Sequence, residues 1–266
     1  MASFFSKERT IAPSNYNRWL IPPAALAVHL CIGMAYGFSV FWKPLGNALV
    51  GADGQPLAAC AAGATTFAEK LAGTGRALFA TDCNWTQFDL GWMYTLFFVL
   101  LGCSAALWGG WLERSGPRKA GAVATLCWAG GLLISAMGVY THQLWMMWLG
   151  SGVVGGIGLG LGYISPVSTL IKWFPDRRGM ATGLAIMGFG GGAMIGSPLA
   201  NLLMNGGNFF EWKGAFAYLH FAGFRTDASV GVWQTFLVMG AVYFCFMMAG
   251  AFGYRVPPTG WHPEGW

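Results

Sequence analysis

Charged side chains are scarce in this sequence. Asp, Glu, Lys and Arg together make up 9% of its 266 residues, against about 25% in a typical soluble domain. So little charge cannot cover a water-facing surface, which excludes an ordinary soluble globule. A disordered polar chain is excluded by the 55% hydrophobic content and the mean hydropathy of +0.51. Nor is there a spacing of metal ligands or catalytic groups, because His29, His142, His220 and His262 fall on separate segments. Gly150, Gly152 and Gly155 spell G-x-G-x-x-G with Asp176 downstream. That motif binds dinucleotides only when a strand precedes it in a soluble unit, and here it lies inside an apolar run. No cofactor and no metal site are implied. The net charge of +5 gathers at the ends of apolar runs, so it points to orientation in a bilayer rather than to nucleic acid.

What the sequence has is six apolar runs, at about 19–41, 88–112, 118–140, 144–174, 179–204 and 230–254. Each is long enough to cross roughly 30 Å of hydrocarbon as a helix. The first exceeds a signal-peptide core of about 7–15 apolar residues and reads as a retained helix. The predicted fold is therefore an all-α membrane protein, a bundle of six transmembrane helices over 1–254. An outer loop covers 42–87, a second loop 205–229 and a tail 255–266. The first loop contains a candidate short helix at 67–78.

Lys and Arg set the orientation. Lys7, Arg9, Arg18, Arg114, Arg118, Lys119, Lys172, Arg177, Arg178 and Arg255 fall on one side. Lys43, Lys70, Arg76, Lys213 and Arg225 fall on the other. The richer side is expected to be cytoplasmic, with both termini there. Trp19, Trp42, Trp111, Tyr140 and Trp173 near the run ends suit an interfacial belt. Cys60 and Cys83 share the outer loop, where an oxidising space makes a disulfide possible.

Glycine is abundant, at 41 residues. Gly152, Gly156 and Gly160 in the fourth run, with Gly158 and Gly162, form overlapping small-xxx-small pairs. Gly188, Gly192 and Gly196 in the fifth run do the same, as do Gly179 and Gly183. Glycine costs a helix roughly 1 kcal/mol relative to alanine. Close helix contact in a bilayer is the natural compensation. Pro166 and Pro198 mark bends or kinks in these two runs.

The turn after the second run reads GGWLERSGPRKAG, with Gly109, Glu113, Arg114, Gly116, Arg118 and Lys119 at fixed spacing. It resembles the signature between the second and third helices of the major facilitator superfamily. The stretch from Gly155 to Gly196 is similar to the fourth and fifth helices of the oxalate/formate antiporter family within it. Gly158, Tyr163, Lys172-Trp173-Phe174-Pro175-Asp176, Arg178-Gly179 and Gly188-Phe189-Gly190 carry that likeness. Gly33 to Phe41 resembles the family's first helix.

The resemblance implies a carrier of small carboxylates such as oxalate, formate or lactate, working by alternating access between two six-helix halves. The six runs correspond to the amino-terminal half, and residues 255–266 resemble the start of the linker between halves. The implied partners are the lipid bilayer, a carboxylate, and a second half or another copy of the chain. A bacterial inner membrane is the expected location. The other reading is a truncated or non-transporting membrane subunit or interaction protein. The motif implies that Glu113 braces one transporter state. Lys172, Asp176, Arg177 and Arg178 form the next inner turn.

For a substrate pocket, the resemblance places an aromatic residue at Tyr36 and another at Tyr163. Helical geometry puts His29, Gly33, Tyr36 and Val40 on one face. An ionisable group inside a membrane helix is a functional candidate. For His29 the alternative is a neutral ring bonded to a neighbouring helix. No Lys or Arg lies deep in any run. The charge asymmetry predicts that a reporter fused at Lys70 is active only outside the cytoplasm and one at Trp266 only inside. Cytoplasmic activity at Lys70 would reverse the orientation.

Overall fold

The computed structural model describes residues 6–205, 207–208, 225–226 and 231–263. Among them are six helices long and apolar enough to cross a membrane: Arg18–Gly46, Gln87–Ser115, Pro117–Tyr140, Leu144–Trp173, Pro175–Asn205 and Val232–Gly253. They are called here the first to sixth spans. Four of the six meet the sequence bounds to within a few residues. The second runs three residues further, to Ser115, and the fifth begins earlier, at Pro175. The first span continues through Trp42–Gly46, five residues past the apolar run and through Pro44. The outer loop therefore begins at Asn47. Most of the second loop, with Lys213 and His220, lies outside the described residues. Its strands Gly207–Asn208 and Arg225–Thr226 pair antiparallel.

Two spans depart from regular α geometry. The first winds tightly as a 3-10 helix over Gly33–Phe41. The fourth opens into a π-helical stretch over Trp148–Gly155. Both coincide with glycine-rich backbone. The helix continues unbroken through Pro166 and through Pro198.

The first span packs on the fourth, fifth and sixth, the second on the fourth, and the third on the fourth and sixth. Glycine makes these approaches possible. A Cβ on Gly156 would lie 2.8 Å from the Phe97 carbonyl oxygen of the second span. One on Gly158 would lie 2.6 Å from the Trp128 amide of the third. One on Gly192 would lie 2.6 Å from the Gly33 Cα of the first. Gly160 presses on Ser104, and Gly188 on Leu26. Gly152 is looser, at 3.4 Å from the Met93 carbonyl. Gly179 and Gly183 meet nothing within 4 Å. Their spacing is right, but these two positions face no helix among the described residues, while Ala181 and Ala185 beside them are buried.

The outer loop is a tied cap. Cys60 and Cys83 are joined as a disulfide with Cα atoms 5.0 Å apart. The buried Asn84 amide bonds the backbone of Leu49 and Leu57 at 2.8–2.9 Å. Trp85 stacks on His142 at 4.4 Å, and His142 Nε2 donates to the Cys83 carbonyl at 2.9 Å. The short helix Phe67–Ala77 is held to the second span by a Thr74 hydroxyl donating to Asp89. Asp89 also accepts from the Thr86 amide and hydroxyl at 2.7 Å. An acid there caps the helix and complements its positive end.

At the opposite end Trp173 is fully buried, not part of an interfacial belt. Its Nε1 donates to the Arg255 carbonyl at 2.7 Å, and its ring meets Trp261 at 4.8 Å. The tail supplies the cover that hydropathy alone could not show. Ala12 N–H donates to the Val256 carbonyl and Val256 N–H to the Thr10 carbonyl, each at 2.9 Å. The amino-terminal segment and the tail thus form one layer beneath the bundle.

The contrast between seams is testable. Gly192→Val should lower thermal stability in detergent by about 1–3 kcal/mol or more, the usual range for overpacking. Gly179→Ala should be neutral or stabilise by up to about 1 kcal/mol. Equal losses would mean that backbone approach at Gly192 does not hold the bundle.

Candidate functional site

Phe189 in the fifth span is the centre around which the pocket candidates gather. Its ring lies 4.8 Å from that of Tyr36, 5.3 Å from Tyr163 and 6.4 Å from His29. The close approach of Gly33 to the fifth-span backbone at Phe189 and Gly192 brings these rings together. Past Gly33 the 3-10 winding has about three residues per turn. Ser39, not Val40, therefore follows Tyr36 along the helix, and Ser39 is exposed.

Tyr36 is 53% exposed and Tyr163 half-buried. His29 lies fully buried behind them, with Nε2 3.2 Å from the Tyr163 carbonyl and its ring 5.6 Å from the Tyr163 ring. It ties the first span to the fourth. Phe98 of the second span stacks on Tyr36 at 6.1 Å, and Tyr94 meets Phe98 at 4.8 Å. Four spans thus build one aromatic wall. Sequence reading missed Phe98 and Tyr94, which sit in an apolar run with no signal to separate them from core. It quoted Phe189 within Gly188-Phe189-Gly190 but gave it no pocket role. Flanking glycines on a helix are a usable hint of a ring held at a close contact.

Chemically the wall offers phenol hydroxyls above apolar rings. Phenols donate hydrogen bonds to an oxyanion, but they cannot balance its charge. No Lys or Arg is among its rings. Among the described residues no group of three metal-ligating side chains occurs.

The second-to-third-span turn forms a separate ionic cluster. Gly116 has φ +89°, a conformation that favours glycine. Glu113 accepts from Lys172 Nζ at 2.5 Å and from Ser168 Oγ at 2.7 Å, so its partners lie within the same six helices. Lys7 Nζ donates to the Glu113 carbonyl at 2.7 Å. Arg118 is buried, with Nη2 3.5 Å from the Phe252 carbonyl. Lys119 Nζ sits 5.9 Å from the Trp111 ring centre. Gly109 meets nothing within 4 Å.

Asp176 in the next turn holds Arg18 through two bonds, 2.7 and 3.1 Å. That pair joins residues 158 apart in sequence, and nothing local announces it. Arg18 also lies 4.8 Å from the Phe174 ring centre. Arg177 approaches Asp176 at 3.7 Å, and Arg178 is exposed at the start of the following helix.

Comparison with known proteins adds an independent line. Residues 57–265 match the sequence model of the Major Facilitator Superfamily. Over 246 residues the chain is 26% identical to apicoplast pyruvate carrier 1 of Toxoplasma gondii, covering 86% of this chain and 44% of that protein. Over 243 residues it is 24% identical to the uncharacterized MFS-type transporter YhjX of Escherichia coli, covering 91% and 46%. Over 131 residues it is 28% identical to human monocarboxylate transporter 11, covering 49% and 26%. The chain spans less than half the length of each of these relatives.

Proposed function

Because the chain belongs to the major facilitator superfamily, we propose that its six helices form the amino-terminal half of a membrane carrier for small carboxylates. The carrier works by alternating access and is not an enzyme. The observation that carries this reading is the aromatic wall, where Tyr36 and Tyr163 flank Phe189. Two phenols over apolar rings suit a ligand with a carboxylate head and a small apolar body. Relatives named as a pyruvate carrier and a monocarboxylate transporter support the substrate class. The Gly155–Gly196 pattern supports the narrower assignment to oxalate, formate or lactate exchange.

A carboxylate at mid-membrane needs a positive partner, since an unpaired charge there costs several kcal/mol. The wall supplies none, so a second six-helix half provides the cation and the opposing wall. The Glu113–Lys172 pair then steadies the inner ends of the second and fourth spans while the halves rock. The basic asymmetry favours both termini in the cytoplasm, in a bacterial inner membrane.

Liposome exchange of labelled formate, lactate and oxalate tests the proposal. The six helices alone should show no saturable exchange, and co-assembly with a carboxyl-terminal half of a related carrier should produce it. In that assembly Tyr36→Phe or Tyr163→Phe should raise KM about fivefold, the loss of one hydrogen bond of about 1 kcal/mol. Glu113→Ala should lower the maximal rate more than it lowers insertion. Robust exchange by the six helices alone, or none in the assembly, would contradict the proposal.

A further inference from the structure

A hollow of about 550 Å³ opens beside the Glu113 cluster, between the amino-terminal segment and the turn joining the second and third spans. Lys7, Arg114 and Lys119 line it, with one acid, Glu8. Among the described residues, neither Arg114 nor Lys119 has an ion-pair partner. The Lys7 ammonium uses one donor on the Glu113 carbonyl and keeps two. Glu8 is thus one acid against three cations. The hollow is therefore net positive, with donors to spare.

Its character changes along the third span. Beyond Lys119 the lining becomes apolar, through Val123 and Leu126. Leu126, Leu133 and Tyr140 are all exposed and seven residues apart. Lys119 is in the same register. Seven residues advance a helix by about 700°, nearly two whole turns, so these four side chains share one face. A cationic hollow thus opens onto an apolar stripe that runs along a membrane span. A soluble anion has no use for that stripe, whereas acyl chains do.

We infer that this hollow binds the phosphate headgroup of an anionic phospholipid, with its acyl chains along Leu126 and Leu133. Arg114 grips two phosphate oxygens with its planar fork, and Lys119 and Lys7 add point charges from either side. Basic side chains at a membrane surface each favour an anionic lipid by about 1 kcal/mol, roughly fivefold. The bound lipid bridges the amino-terminal segment to the second-to-third-span turn. The site does not depend on the transport reading.

The test uses the purified, delipidated chain and native mass spectrometry with dioleoylphosphatidylglycerol, dioleoylphosphatidylcholine and glycerol 3-phosphate. The phosphatidylglycerol should be retained at least fivefold over phosphatidylcholine, and equimolar glycerol 3-phosphate should not displace it. Arg114→Gln and Lys119→Gln, made singly and together, should each reduce the preference and together abolish it. Arg114→Lys with Lys119→Arg should keep most of it, which separates loss of charge from loss of fold. Equal retention of both lipids, or a preference unchanged in the double Gln variant, overturns the site. Displacement by glycerol 3-phosphate would show a soluble-anion site and overturn the lipid assignment.

Discussion

Inside a bilayer an apolar side chain gains little by leaving lipid for protein, so a helix bundle depends on how closely its backbones can approach. Here that approach rests on glycine. Gly192 leaves room for the Gly33 backbone, and Gly156 leaves room for Phe97. The first seam sets the position of Tyr36 and His29 against Phe189. It fixes the first span against the fifth, and so fixes Tyr36 on Phe189. The fourth span joins through Tyr163 and through the His29 bond to its carbonyl.

The two ends of the bundle are closed by different chemistry. The end capped by the 47–86 loop relies on a covalent link and on buried side-chain bonds, with Asn84 and Asp89 each satisfying several donors or acceptors. The end that carries the amino-terminal segment and the tail combines ion pairs with backbone bonds between those two segments and the buried Trp173. Arg18–Asp176 and Lys172–Glu113 bind the start of the first span to the turn between the fourth and fifth spans, and the second span to the fourth. The more exposed Lys172–Glu113 pair contributes little stability, about 0–1 kcal/mol.

Hydropathy carried most of the architecture. The six spans and the short loop helix were legible because lipid demands long unbroken apolar helices, and the loop helix has its own capping box at Thr66 and Glu69. Local geometry was less legible. Glycine spacing marked the Gly192 seam and the empty Gly179 position alike, because spacing cannot say whether a partner stands opposite. Trp173 looked interfacial from its place at a run end, but the tail folds back over it. The site was half legible. Tyr36, Tyr163 and His29 do converge, while Phe98 and Tyr94 are visible only once the second span is seen beside the first. The motif resemblance gives Glu113 a bracing role, and within these helices its carboxylate holds Lys172, a contact no local pattern announces.

The central claim is that the Tyr36–Tyr163–Phe189 wall faces an aqueous path and not lipid. Cysteine accessibility at position 36 tests it most directly, in the membrane-embedded chain with Cys31, Cys103, Cys127 and Cys245 replaced. Tyr36→Cys should react with a membrane-impermeant maleimide, a millimolar carboxylate should slow that reaction in the assembled carrier, and His29→Cys should stay unreactive. A position 36 that reacts only with lipophilic reagents would place the wall against lipid and contradict the account.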